Sequence, residues 1–262
     1  MTMEHPLLFQ LNDRIGTITF NRPRELNAVN LDMARAMDEL ACKLPGVEGM
    51  KAIVLRGSGD HFMAGGDISA FHGEKNKFLP VISEIIDHFH TFVFCLQKLP
   101  QPVINVVRGA AAGGGFSLAI SGDIIIADET AKFTPAYRKL GTTPDGGGSF
   151  FLPRIAGPKK AMEMFLAGGT YSAQDAQDMG LINSVVRASE LEREIGRVAA
   201  TLVTNSAAVT AATKHLLKGN ELTSLRSHLE AEKTSFLNFS SGNDFTEGVD
   251  AFLTKRPPKF TD

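Results

Sequence analysis

The 262-residue chain has only two cysteines, Cys42 and Cys95. Neither stands in a metal-ligand or redox spacing, so two free thiols in a reducing compartment are expected rather than a disulfide. Charge of one sign is also scarce: 27 basic residues against 29 acidic ones leave a net charge of −2. That gives no general attraction to nucleic acid, and no basic stripe interleaved with aromatics is present. The start, MTMEHPLLFQLNDRIGTITF, lacks the basic head and long apolar stretch of a secretory signal. No apolar run in the sequence approaches a membrane span, and Phe260-Thr261-Asp262 is not an address tag. The histidines form no His-Glu-x-x-His site, since His88 and His90 are two apart on an expected helix and the others are scattered. A soluble, cytoplasmic protein with no metal, no nucleic-acid partner and no membrane partner is the expectation.

What is present is the composition of a globular protein, long enough for one large domain or for a domain with a helical appendage. Short β-type runs alternate with helical patterns through the first two-thirds. Arg14 to Phe20 alternates like a half-buried strand, and Leu31 onward has helical spacing that stops near Pro45-Gly46. Lys51 to Leu55, Val103 to Val107 and Asp123 to Ala127 read as buried strands. From about Ser189 the texture changes to helices near 189–204, 206–218, 221–239 and 243–254. This divides the chain into an α/β core over 1–188 and a helical region over 189–262. The helical region could close over a ligand or pack on another subunit.

Glycine is concentrated in HFMAGGDISAF (61–71), VRGAAAGGGFSLAISGD (107–123) and KLGTTPDGGGSFFLPRIAG (139–157). Each stretch could be no more than a tight turn. Gly113-Gly114-Gly115 follows a strand and opens an expected helix, but the third small residue of a dinucleotide fingerprint is missing. No Lys-Ser/Thr pair completes a phosphate-binding loop. A better reading is that two separated loops each bring a backbone N–H to one point, where they would stabilise an enolate oxygen.

Taken in order, NRPRELNAVN (21–30), AGGDI (64–68), the triple glycine, PDGGG, AQDAQDMGLINSVV (173–186) and DFTEGVDAFLTKRPPKF (244–260) resemble the landmarks of the crotonase, or enoyl-CoA hydratase/isomerase, family. The resemblance covers nearly the whole chain. It implies a stacked ββα core with a helical C-terminal region, an acyl-CoA substrate with no separate cofactor, and a homotrimer or dimer of trimers. By motif it implies Gly66 and Gly114 as the two oxyanion donors. Arg24, Leu26, Ala28, Ala64 and Ile68 would line the CoA pocket. Phe252 and Lys255 would reach toward CoA, often from a neighbouring subunit.

Hydratases of this family use two glutamates, and the matching positions here hold Ser117 and Tyr137. A serine and a tyrosine cannot readily replace an acid–base pair near neutrality. Asp145, in Thr143-Pro144-Asp145-Gly146, is either a turn residue or the single acid of an isomerase, as the resemblance to the ring-epoxide and Δ3,Δ2-enoyl-CoA isomerase branch implies. An acid with an ordinary pKa of about 3.9 would shuttle protons poorly, so an apolar wall should raise it; Phe133, Phe150 and Phe151 are near enough in sequence to supply one. A hydratase in which Asp145 recruits water with help from Glu74, and a non-catalytic acyl-CoA-binding protein of the same fold, remain alternatives.

Overall fold

The computed structural model describes residues 5–218 and 221–261. The strands are β1 (Leu7–Asn12), β2 (Ile15–Phe20), β3 (Ala52–Gly57), β4 (Val103–Val107), β5 (Ala110–Ala112), β6 (Ile124–Asp128), β7 (Lys132–Thr134), β8 (Tyr171–Ser172) and β9 (Ser184–Val186). The helices are α1 (Leu31–Lys43), α2 (Lys75–Lys98), α3 (Gly114–Ile120), α4 (Gly148–Met162), α5 (Ala173–Asp178), α6 (Leu191–Thr204), α7 (Ala207–Lys218), α8 (Glu221–Ser240) and α9 (Asn243–Leu253).

The large sheet has the order β1-β2-β3-β4-β6-β9, and the small one β5-β7-β8. β1 and β2 form an antiparallel hairpin closed by Asp13 and Arg14, both at positive φ (48° and 68°). That is the backbone a two-residue hairpin turn requires. The other pairings of the large sheet are parallel. One pattern repeats: a strand in the large sheet, a short strand in the small one, then a helix, as in β4–β5–α3. This is the stacked ββα α/β architecture.

Strand alternation divides the core. Ile53 and Leu55 of β3, with Val103 and Val107 of β4, face the main cluster that also holds buried residues of α1 and α2. Val54, Ile104, Val106 and Ile126 point the other way, onto Leu191, Ile195 and Ala199 of α6. Burial on both faces explains why β3 and β4 read as continuous apolar runs. Asn105 is the polar exception in β4. Its side-chain amide donates to Leu118 O and Ala119 O at 2.8 and 3.0 Å. It therefore holds the C-terminal end of α3 and points the other end toward the site.

One expectation about the elements needs correction, and it concerns α2. α2 starts at Lys75, within a stretch whose start the sequence hides behind Gly73 and Pro80. Pro80 lies five residues into the helix, so only the Asn76 carbonyl loses its donor. α2 also has the length and hydropathy of a membrane span, contrary to the reading that no run approaches one. Its apolar residues pack instead into the core, against α1 and α8.

Candidate active site

Two loops meet above the small sheet. In the first, Val29 and Gly66 form a parallel bridge: Val29 N–H donates to Gly65 O at 2.7 Å, and Asp67 N–H to Val29 O at 2.9 Å. The bridge uses the carbonyl before Gly66 and the amide after it, which turns the Gly66 N–H to the opposite side. In the second, Gly113 N–H donates to Thr134 O at 3.0 Å and α3 begins at Gly114. A side chain at Gly65 (φ +87°) would sit 2.8 Å from Ala112 O and 3.3 Å from the Gly114 nitrogen. Glycine there is what lets the loops touch. Among the described residues, neither the Gly66 nor the Gly114 amide has a protein acceptor, and both residues line one cavity of about 770 Å³.

Asp145 lines the same cavity. A β-carbon on Gly114 would lie 3.4 Å from Asp145 Oδ1 and 3.3 Å from the Phe89 ring, so the carboxyl abuts the start of α3. Although part of its surface opens to the cavity, the carboxyl lies deep in the protein. Burial pushes its pKa up to about 7; the O–H of Tyr137 opposes that shift and the charge of Glu232 adds to it. The apolar wall is made by Ile82, Ile85, Ile86 and Phe89 of α2 with Phe236 of α8. Phe133, Phe150 and Phe151 do not line it, contrary to expectation. Phe133 lies in the main core, while α4 turns Phe150 and Phe151 toward Leu225 and Leu229 of α8.

Ser117 and Tyr137 form a chain that ends on this acid. Tyr137 O–H donates to Asp145 Oδ1 at 2.7 Å, and Ser117 Oγ lies 2.8 Å from the Tyr137 oxygen. Burial and the neighbouring Asp145 charge hold the phenol well above its ordinary range, so it stays a donor. Ser117 is fully buried, and a β-carbon on Gly148 would come within 2.3 Å of its Oγ.

Residues 10–262 match the family model described as enoyl-CoA hydratase/isomerase. The chain belongs to that family. It is 35% identical over 256 residues to a 1,2-epoxyphenylacetyl-CoA isomerase of Escherichia coli K12, covering 97% of this chain and 98% of the relative. A probable enoyl-CoA hydratase of Rhodobacter capsulatus is 34% identical, with 98% of each covered. The crystal structure of an enoyl-CoA hydratase from Mycobacterium avium subsp. paratuberculosis superposes with a TM-score of 0.89 at 32% identity, covering 98% of this chain and 99% of the other.

In this hydratase/isomerase family member, Leu26, Ala28, Ala64 and Ile68 line the cavity with Gly66 and Gly114. Arg24 does not: it is exposed on the 3₁₀ turn Pro23–Glu25, beside the mouth. Glu74 is exposed at the head of α2, 3.0 Å from Lys77, and lies outside the lining. Phe252 and Lys255 reach the cavity of their own chain. α9 is seated there by Phe245, which packs with Phe71, Phe78 and Phe236. Two residues that sequence reasoning missed hold the Asp145 turn. Burial lowers the pKa of His90 to about 4, and its neutral Nε2 accepts from Gly146 N–H at 3.1 Å. Glu232 of α8 accepts from Gly147 N–H at 2.7 Å. The only available signal was an acid and a histidine on apolar helix faces, which is too common to select them.

Proposed function

We propose that this protein isomerises enoyl-CoA thioesters, with Asp145 as the only acid–base group. Asp145 removes a proton from the α-carbon of a 3-enoyl-CoA. The thioester oxygen takes up the charge between the Gly66 and Gly114 amides. Asp145 then returns the proton to the γ-carbon, leaving the 2-enoyl product. The reaction needs no cofactor beyond the CoA already in the substrate. A carboxyl that titrates near 7 suits both proton transfers at neutral pH.

The observation that carries this reading is the fate of the three carboxylates along the cavity, Glu25, Asp67 and Asp145. Glu25 is exposed at the mouth. Asp67 is tied to Arg22 at 3.0 Å and to Ser69 at 2.6 Å, with its pKa lowered. Asp145 alone adjoins the Gly114 amide and has no cationic partner among the described residues. Asp145→Asn should lower isomerisation of a 3-enoyl-CoA by roughly 10²-fold or more with little change in substrate binding. Near-wild-type turnover by a folded variant rejects the mechanism.

The names of several relatives favour a second reading, hydration, in which Asp145 would activate water. Incubating crotonyl-CoA and a 3-enoyl-CoA separately distinguishes the two. Assembly as a homotrimer or dimer of trimers is part of the proposal. It is supported by Leu166, Leu216 and Leu217, which are 71%, 80% and 80% exposed in the single chain.

A further inference from the structure

The turn that carries Asp145 runs straight into α4, whose N-cap is Gly147. Glycine has no side chain to satisfy the free amides of a first helical turn. The missing cap comes from α8, more than eighty residues later. Glu232 Oε2 accepts from Gly147 N–H at 2.7 Å, and Oε1 accepts from Ser149 N–H at 3.0 Å and from the Ser149 hydroxyl at 2.5 Å. Burial raises the pKa of this almost wholly buried carboxyl, and the three donors on its two oxygens, the Ser149 hydroxyl first, act against that shift and fit the ionised form.

That charge has no cation to balance it. His228 is its one ion-pair partner within 4 Å among the described residues, with Nε2 at 3.7 Å. Burial and Arg154 lower the pKa of His228, so it is neutral near pH 7. Because the Ser149 hydroxyl donates to Glu232, it receives a hydrogen bond from His228 Nε2–H at 2.7 Å. The other charged groups around this region are engaged elsewhere. Lys233 of α8 pairs with Asp87 of α2. Arg154 of α4 stacks on Phe150 and lies 3.6 Å from Glu221. His90 of α2 is neutral, and the Tyr137 O–H donates a hydrogen bond to Asp145. What faces Asp145 from α8 is therefore a buried negative charge held only by N–H and O–H groups.

We propose that Glu232 is a positioning residue for proton transfer at Asp145: its carboxylate fixes the 145–149 turn, and its uncompensated charge favours the protonated form of Asp145. The inference rests on Asp145 being the acid–base group. It assigns α8 a part in the chemistry without contact with substrate. Two carboxylates in one low-dielectric region resist ionising together, and the one held by more donors keeps the charge. Glu232 has three donors, while the Asp145 side chain has the Tyr137 O–H and its own backbone amide.

The test compares wild type with Glu232→Gln and Glu232→Asp. One readout is the pH profile of kcat/KM with a 3-enoyl-CoA. The other is a ¹³C-NMR titration of carboxyl-labelled aspartate, with Asp145 assigned through Asp145→Asn. Folding of each variant is checked by circular dichroism. Glu232→Gln should move the acid limb and the Asp145 midpoint down by about one unit, whereas Glu232→Asp keeps both near wild type. A folded Glu232→Gln protein with neither value moved overturns the proposal, because loss of packing alone would leave the midpoint in place. The NMR readout needs no turnover. A lowered midpoint in a protein that fails to isomerise therefore supports the role of Glu232 and rejects the reaction. Should Glu232→Gln not fold, wild type decides: a second, lower inflection in the Asp145 signal as Glu232 ionises supports the coupling, and a single inflection overturns it.

Discussion

A carboxyl that titrates near 7 changes the stability of the fold as well as its chemistry. Between about pH 4, where an unfolded aspartate ionises, and about pH 7, the folded chain keeps a proton that the unfolded chain has released. Stability therefore falls as pH rises through that window and is flat above it. Asp145→Asn removes the dependence, and it should be more stable than wild type at pH 8 by on the order of 1–4 kcal/mol. The gap should close toward pH 4, as read by urea denaturation at several pH values; a gap constant with pH would mean an ordinary carboxyl. Tyr137 acts in the opposite direction, since its O–H favours the ionised acid. Tyr137→Phe should shift the acid limb of the rate profile upward by about one unit, and Ser117→Ala, acting through Tyr137, should shift it less. From sequence alone the two positions are notable only for lacking the glutamates of the hydratases. The hydrogen bonds to Asp145 make the tyrosine an active part of the site, and an unmoved limb in Tyr137→Phe would reverse that conclusion.

Among the elements, those with a strong period were legible. β4 occupies Val103–Val107 as read, and the four late helices lie within a few residues of the expected spans. Apolar periodicity reports which face of an element is buried, but not what it meets. The aromatic wall was therefore assigned to Phe133, Phe150 and Phe151, which are close to Asp145 in sequence, and Phe89 lies on a helix 56 residues before it. Glu232 was hidden for the same reason: a cap supplied from a distant helix leaves no local motif at either end. The meeting of the two glycine-rich loops was legible because close approach of two backbones demands glycine, and Gly65 and Gly115, each against a carbonyl of the opposite loop, carry that demand. α9 supplies a test at this scale. Lys255 follows its last turn at the cavity mouth, so Lys255→Ala should weaken binding of a CoA ester more at low salt than at high salt. Equal loss at all ionic strengths would assign the residue a packing role instead.

In the whole molecule, the site draws on segments far apart in the chain: the 64–66 loop, the start of α3, the 143–149 turn, the middle of α2 and two of the last helices. Such a site forms only once nearly all of the chain has folded, and loosening any of these elements reaches Asp145. The path of α9 has a consequence for assemblies. Because α9 folds back over its own chain, every copy holds a full set of groups from Gly66 to Lys255 around one cavity. Two defective subunits then cannot repair each other. Co-expressed Asp145→Asn and Lys255→Ala chains, brought into one oligomer, should show no more activity than the average of the two parents. Recovery toward wild type would instead reveal a cavity shared between neighbours.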